Sequence, residues 1–377
     1  MKYMKIGIFI EKIEKNLDYK DPGQIARGLK ELGNEVFFIT TKNNFKNFIF
    51  PVIEAPIENL EKEKFFKEID CEAVIFYTWL SIRFNRLIEA ARNSGKRVIV
   101  KLDSDGRFGY PILISRLRGF THIKNFREFI NYFYWVFRYI AFGTFLFEKK
   151  IKQLYIADKV IIESPQALVN LFTFLSYHKK LNLSILDKCC VIPNPVDKAF
   201  IKPVDNKENI ILCVADWENR AKNRKNLFKL IKNFLEIKKD WRFVIIGNGS
   251  NYFSSLSSER IMIKSEISHF EIIDYFSKAK IFLLPSFWEG FNISASEAVC
   301  SGCSIVGTSL ECLFYLSSNG FSGTLSYNFD YKSLLSSLLI DISRWENGIY
   351  NTKSISNYWQ NILNHERIAK MIIDIIK

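Results

Sequence analysis

The stretch SFWEGFNISASEAVCSG, residues 286–302, follows directly on the apolar run Ile281-Phe282-Leu283-Leu284-Pro285. It reads as the end of a buried strand, an aromatic turn and the start of a helix, with Glu289 and Glu297 on either side of the turn. Backbone N–H groups at a helix start have no intrahelical partner, so such a turn suits an anionic or hydroxyl-rich ligand. Glu289 precedes Gly290-Phe291-Asn292-Ile293 and is expected to point into the crevice at the strand ends. Glu297 has two readings, because Ser294-Ala295-Ser296-Glu297 also has the spacing of a capping box. Spacing alone leaves ligand binding and capping both open.

Outward from this stretch the chain alternates short apolar runs with helical periodicity. Ile6–Ile10, a helix from Pro22 to Leu32 closed by Gly33, and Glu35–Thr40 form the first strand, helix, strand unit. Ala73–Tyr77, a helix over Ile82–Ser94, Arg97–Lys101, Lys159–Glu163 and Cys190–Pro193 continue it. A second series begins at Asn209, with strands at Ile210–Val214, Trp241–Ile246, Ile281–Leu284 and Ser304–Val306 separated by helices. This pattern predicts an α/β fold of two doubly wound domains, 1–195 and 196–355, joined near Asn194-Pro195-Val196-Asp197. Residues 356–377 read as amphipathic helix that crosses back to the N-terminal domain. Ligands are expected at the carboxyl ends of the strands, between the domains.

The chain has 377 residues, 48% hydrophobic and 15% aromatic, with a formal net charge of +13, which favours an anionic partner. Its seven cysteines are odd in number and set among apolar residues, as expected of reduced thiols. Cys300 and Cys303 have CxxC spacing but no second pair and no nearby His cluster, so no metal site is expected. The N-terminus lacks the apolar length of a secretory signal, which predicts a cytoplasmic protein.

A segment from about 107 to 152 breaks the alternation. Fourteen aromatic residues, among them Phe129, Trp135 and Phe147, are interleaved with Arg116, Arg118, Lys124, Arg127, Arg138 and further cations, against two acids. Arg138, Asn131 and the tyrosines make it a poor transmembrane helix. A helix lying on the inner membrane surface fits, with cations toward anionic headgroups. An insertion packed on its own domain, and stacking on single-stranded nucleic acid, are the other readings.

The motifs around the opening stretch, Pro285-Ser286, Glu289-Gly290-Phe291, Glu297-Ala298 and Ser301-Gly302-Cys303-Ser304-Ile305-Val306-Gly307-Thr308, resemble the signature of the retaining glycosyltransferases of family 4. Gly33-Asn34-Glu35-Val36, Ala157-Asp158-Lys159-Val160, Ile192-Pro193-Asn194-Pro195 and Gly247-Asn248-Gly249 resemble further landmarks of that family in the same order. The resemblance implies the GT-B fold, two Rossmann-like domains facing across a cleft. It implies a donor site in which Glu289 contacts the sugar of a nucleotide diphosphate sugar and Glu297 the ribose hydroxyls. Gly290, Phe291, Asn292 and Ile293 would offer backbone amides, Gly247 and Glu266 would border the donor, and no cofactor or metal would be required.

The family's diphosphate-binding Arg is absent, with Asp216 in its place. Lys225 matches the family's Lys, and Arg220 is the candidate for the displaced Arg, with Lys222 and Arg224 as rivals. The family's N-terminal-domain His is also absent. Asp103 or Asp105 is expected to orient or deprotonate an acceptor hydroxyl instead; either could equally cap the next segment. The expected activity is transfer of a sugar to a glycan or lipid-linked acceptor in polysaccharide or glycolipid synthesis, by a protein peripheral to the inner face of the membrane. The alternatives are a degenerate protein that binds nucleotide sugar or glycan without turnover, and a sugar epimerase on the same fold. Nucleic acid is not an expected partner, since binding it would not need the paired glutamates.

Overall fold

The structure is a computed structural model that describes residues 3–107, 126–177, 183–200, 206–256 and 258–377. By contact these residues fall into two compact units, those within 1–113, 130–195 and 364–377 and those within 114–129 and 196–363.

The first unit is built on a parallel sheet of β1 (Lys5–Ile10), β2 (Glu35–Thr40), β3 (Val52–Glu54), β4 (Ala73–Tyr77), β5 (Arg97–Lys101), β6 (Lys159–Ile162) and β7 (Cys189–Val191). Their order across the sheet is β3-β2-β1-β4-β5-β6-β7, so the winding reverses between β1 and β4. Both faces are covered, which is why the strands are almost wholly apolar. Ile6, Ile8 and Ile10 point to one face, where α1 (Asp21–Glu31) packs, while Phe9, Phe76 and Val100 point to the other. α2 (Asn85–Asn93) covers that second face.

The segment expected to be a basic aromatic helix holds α3 (Phe126–Ile156), which is followed by α4 (Pro165–Tyr177). The last turns of α3 bury Phe147, Ile151 and Leu154 in the core.

The second unit repeats the plan with β8 (Glu208–Val214), β9 (Arg242–Ile246), β10 (Ile261–Lys264), β11 (Ala279–Leu284), β12 (Ser304–Thr308) and β13 (Gly323–Ser326). The order is β10-β9-β8-β11-β12-β13, again parallel, with the reversal between β8 and β11. α5 (Arg224–Ile237), α6 (His269–Lys278), α7 (Ile293–Cys300) and α8 (Tyr331–Glu346) flank it.

The C-terminal segment is two helices. α9 (Thr352–Leu363) belongs to the second unit and α10 (His365–Ile376) to the first. α10 crosses α1 at Gly28, where a Cβ would meet the His365 carbonyl oxygen at 2.3 Å, so only glycine permits the approach. All seven cysteines are free.

Candidate functional site

In the second unit two loops meet where the winding reverses. The loop after β8 runs from Ala215 to Asn223, and the loop after β11 from Pro285 to Asn292. Asn223 takes a left-handed conformation (φ 53°), is fully buried, and donates from Nδ2 to the Pro285 carbonyl at 3.0 Å. The Phe287 N–H donates to the Ala221 carbonyl at 2.7 Å. These bonds clamp the loops and bring the Lys222 ammonium to Glu289, 2.7 and 2.9 Å from its two carboxylate oxygens. Both side chains are largely buried, at 15% and 9% exposure, so the ion pair is shielded from water. The Ser286 hydroxyl donates to the same carboxylate.

The capping-box reading of Ser294 and Glu297 is corrected by the structure. Asn292 is the N-cap of α7, and its Oδ1 accepts the Ala295 N–H at 2.7 Å. Helix begins one residue before Ser294, so Glu297 lies too far along it to reach back to the cap. Glu297 is 8% exposed, and burial, together with the nearby Asp197 carboxylate, pushes it up to about 8. The amides of Ile293 and Ser294 stand at the helix start, where no intrahelical acceptor exists for them.

A glycine is required beside this site. At Gly247 (φ 120°) a Cβ would lie 2.0 Å from the Ala215 carbonyl oxygen, so the turn after β9 can press on the loop after β8 only without a side chain. The neighbouring Asn248 donates to Asp216 at 3.0 Å, and its carbonyl accepts the Trp217 N–H at 2.7 Å.

In the first unit, charged groups gather at the carboxyl ends of β4, β5 and β6. Lys101 is fully buried and donates to Glu163 at 2.6 Å and to Asn194 at 2.5 Å, with Asp21 at 3.3 Å. Burial alone would lower the Lys101 pKa, but the charges of Asp21, Glu163 and Asp103 outweigh it and raise it. Burial likewise raises Asp21 and Glu163, against the pull of Lys101. Glu163 Oε1 also accepts the Asp103 N–H at 2.8 Å, and the Asp103 carboxylate accepts the Trp79 indole N–H at 2.8 Å.

Residues 197–342 match the family model described as Glycosyl transferases group 1. The O-antigen chain mannosyltransferase RfbU of Salmonella typhimurium is 27% identical to the chain over 143 residues, 36% of the chain and 39% of that protein. The match therefore spans well under half of that relative. Among solved structures, sucrose-phosphate synthase of Thermosynechococcus elongatus superposes with a TM-score of 0.70 at 16% identity, covering 98% of each chain. HepE of Anabaena in complex with UDP gives 0.72 at 12% identity, covering 98% of this chain and 99% of its own. Likeness at such identity establishes the fold, which is GT-B.

Within the residues that match this model the expected donor residues are spread over several elements. Glu289, Gly290, Phe291, Asn292, Ile293 and Glu297 lie on the turn and first helical turns after β11, and Gly247 follows β9. Glu266 is exposed in the loop after β10. Lys225 is exposed on the first turn of α5. Arg220 ion-pairs with Glu128, and Arg224 with Glu218 at 2.8 Å. Lys222, named only as a rival, is the cation set against Glu289.

Asp105 Oδ1 accepts the Arg107 N–H at 3.0 Å, so it closes its own turn. Arg127 and Arg138 are exposed on α3. Arg116, Arg118 and Lys124, and the side chain of Trp135, lie outside what the structure describes. Among the described residues no group of three His, Cys, Asp or Glu side chains is placed to hold a metal, and no helix is long and apolar enough to cross a membrane.

The raised pKa of Glu297 has a measurable consequence. Its unfolded carboxylate ionises near pH 4.5 and its folded one near 8. Between those values the native state holds a proton that the unfolded state has lost, so stability falls as pH rises through that window. The expected outcome is that the wild type loses more thermal stability between pH 5 and pH 8.5 than Glu297→Gln, read by calorimetric melting. Parallel profiles for the two proteins would contradict the assignment.

Proposed function

We propose that the chain is a retaining glycosyltransferase of family 4 type, which transfers a sugar from a nucleotide diphosphate sugar to a glycan or lipid-linked acceptor. The observation that carries this reading is the buried Lys222–Glu289 pair at the winding reversal of a group 1 domain. A carboxylate held there faces the place where positive charge grows at the anomeric carbon, and cations on the neighbouring loop face the place where negative charge grows on the diphosphate. The Ile293 and Ser294 amides add donors at a helix N-terminus. Glu297 accepts hydrogen bonds from the ribose hydroxyls, which favours its ionised form. Asp103, in the first unit, orients the acceptor hydroxyl. Retention without a placed nucleophile implies attack from the leaving-group face, with the departing diphosphate taking the acceptor's proton.

The charge neutralisation asks no metal of the site, because Lys222, Lys225 and Arg220 are within the loop after β8 or the helix turn that follows it. HepE, of the same fold, is solved with UDP, which supports a nucleotide donor, and RfbU is an O-antigen chain mannosyltransferase, which supports a role in polysaccharide synthesis. A second reading, binding without turnover, draws on Asp216, which stands where the family has Arg and is engaged by Asn248.

Calorimetric titration with a panel of nucleoside diphosphates tests the donor site. One nucleotide is expected to bind the wild type and to weaken by about tenfold or more in Lys222→Ala and Glu297→Ala. Absence of binding across the panel would overturn the reading.

The same proposal seats the protein on the inner face of a membrane through α3. Phe126, Ile130, Phe133, Phe137 and Ile140 recur at spacings of four and three, hence on one face, and each is at least 48% exposed. Arg127 and Arg138 supply cations on the same helix. Vesicles containing anionic phospholipid are expected to carry the protein on flotation, with weaker recovery for Phe133→Ser/Phe137→Ser. Wild-type protein that stays at the bottom of the gradient contradicts the membrane contact.

A further inference from the structure

The first unit holds a feature that the donor chemistry does not use. Trp79 and Leu80, directly after β4, both have left-handed backbone, with φ 47° and 51°. Such conformations are strained for residues with a side chain and persist only where surroundings impose them. Here the surroundings do so from both sides. Buried Gln153, on α3, accepts from the Thr78 hydroxyl at 2.6 Å and donates to the Ser81 carbonyl at 2.7 Å. Leu80 is buried, whereas Trp79 is half exposed.

The exposed indole is fixed as well. Its N–H donates to the Asp103 carboxylate at 2.8 Å. Asp103 is itself left-handed (φ 45°), and its N–H is held by Glu163, which Lys101 and Asn194 brace through the same buried network. Within that network Glu163 Oε2 is buried and lacks a hydrogen-bond partner, although a group so placed ordinarily finds one. An apolar core has no need of an ordered, exposed tryptophan, and a mere cap has no need of a carboxylate tied to its edge.

We infer that Trp79 is an acceptor-sugar platform, with its indole face against the C–H face of a pyranose ring and the Asp103 carboxylate beside it to accept one of that ring's hydroxyls. The C–H groups of a pyranose carry partial positive charge and meet the negative face of the indole ring. The indole N–H fixes the edge of the tryptophan, so its face is presented in one orientation and little side-chain freedom is lost on binding. Specificity follows from the pairing: a ring with one continuous C–H face stacks, and a neighbouring hydroxyl selects among such rings. The assignment rests on the glycosyltransferase reading for the identity of the ligand, and it adds the residue that recognises the acceptor.

Saturation-transfer NMR of the full chain with a panel of methyl pyranosides tests it, alongside Trp79→Ala, Trp79→Phe and Asp103→Asn and with nucleoside diphosphate titrations as a control. The expected result is transfer to the C–H protons of at least one glycoside, lost in Trp79→Ala, partly kept in Trp79→Phe, and with affinity reduced about tenfold in Asp103→Asn. Nucleotide binding is expected to be the same in all four proteins. Glycoside contacts that are absent from the wild type, or undiminished in Trp79→Ala, overturn the platform. If nucleotide binding persists in that case, the donor reading stands and only the platform falls; loss of nucleotide binding by the wild type itself would instead count against the donor reading.

Discussion

A central parallel strand covered by helices on both faces has no room for unpaired charge. Everything polar that the chain needs for chemistry is therefore pushed to the strand ends, where loops can turn back on one another. Both units obey this constraint. In the second, a buried asparagine and one backbone hydrogen bond join two loops and set Lys222 against Glu289. In the first, Lys101 ends a strand and gathers Glu163, Asn194 and Asp21 around its ammonium. Removing one partner from such a cluster would leave a buried charge uncompensated, which costs far more than the pair itself contributes.

The two clusters differ in what they leave accessible. Lys101 and Glu163 are sealed, so they act through what they hold, the backbone of Asp103. Lys222 and Glu289 retain some exposure, and Glu297, a few residues along α7, is pushed toward its neutral form by burial and Asp197. In the proposed donor site, a nucleotide whose hydroxyls bond Glu297 would change that balance and so couple ligand binding to proton release at this residue.

Much of the fold was legible because buried strands are continuous apolar runs and helices end at Gly33 and Gly95. Of the edge strands of the two large sheets, the one at Cys189–Val191 was read as Cys190–Pro193, but Val52–Glu54, Ile261–Lys264 and Gly323–Ser326 were not, because they are short and partly exposed and lack the apolar run that marked their neighbours. The paired glutamates were readable from motif and spacing. The cap at Asn292 was not, because Ser294 offered an equally good local pattern two residues on, and only the helix's actual start distinguishes them. Lys222 could not be chosen from sequence over Arg220 or Lys225, since the choice depends on the turn that Asn223 makes in left-handed conformation. A signal for the Lys101 cluster was present in the sequence: Lys101 and Glu163 are charged residues closing the apolar runs of two strands that lie side by side, β5 and β6.

The central claim is that Glu289 acts at the anomeric centre of a donor sugar. The most direct test is transfer itself: wild type and Glu289→Gln incubated with acceptor-bearing membranes and the radiolabelled sugar form of the nucleotide that binds. The account predicts incorporation of label by the wild type and a loss of about a hundredfold or more in the variant. Equal incorporation by the two proteins, or none by a wild type that binds the nucleotide, would contradict it.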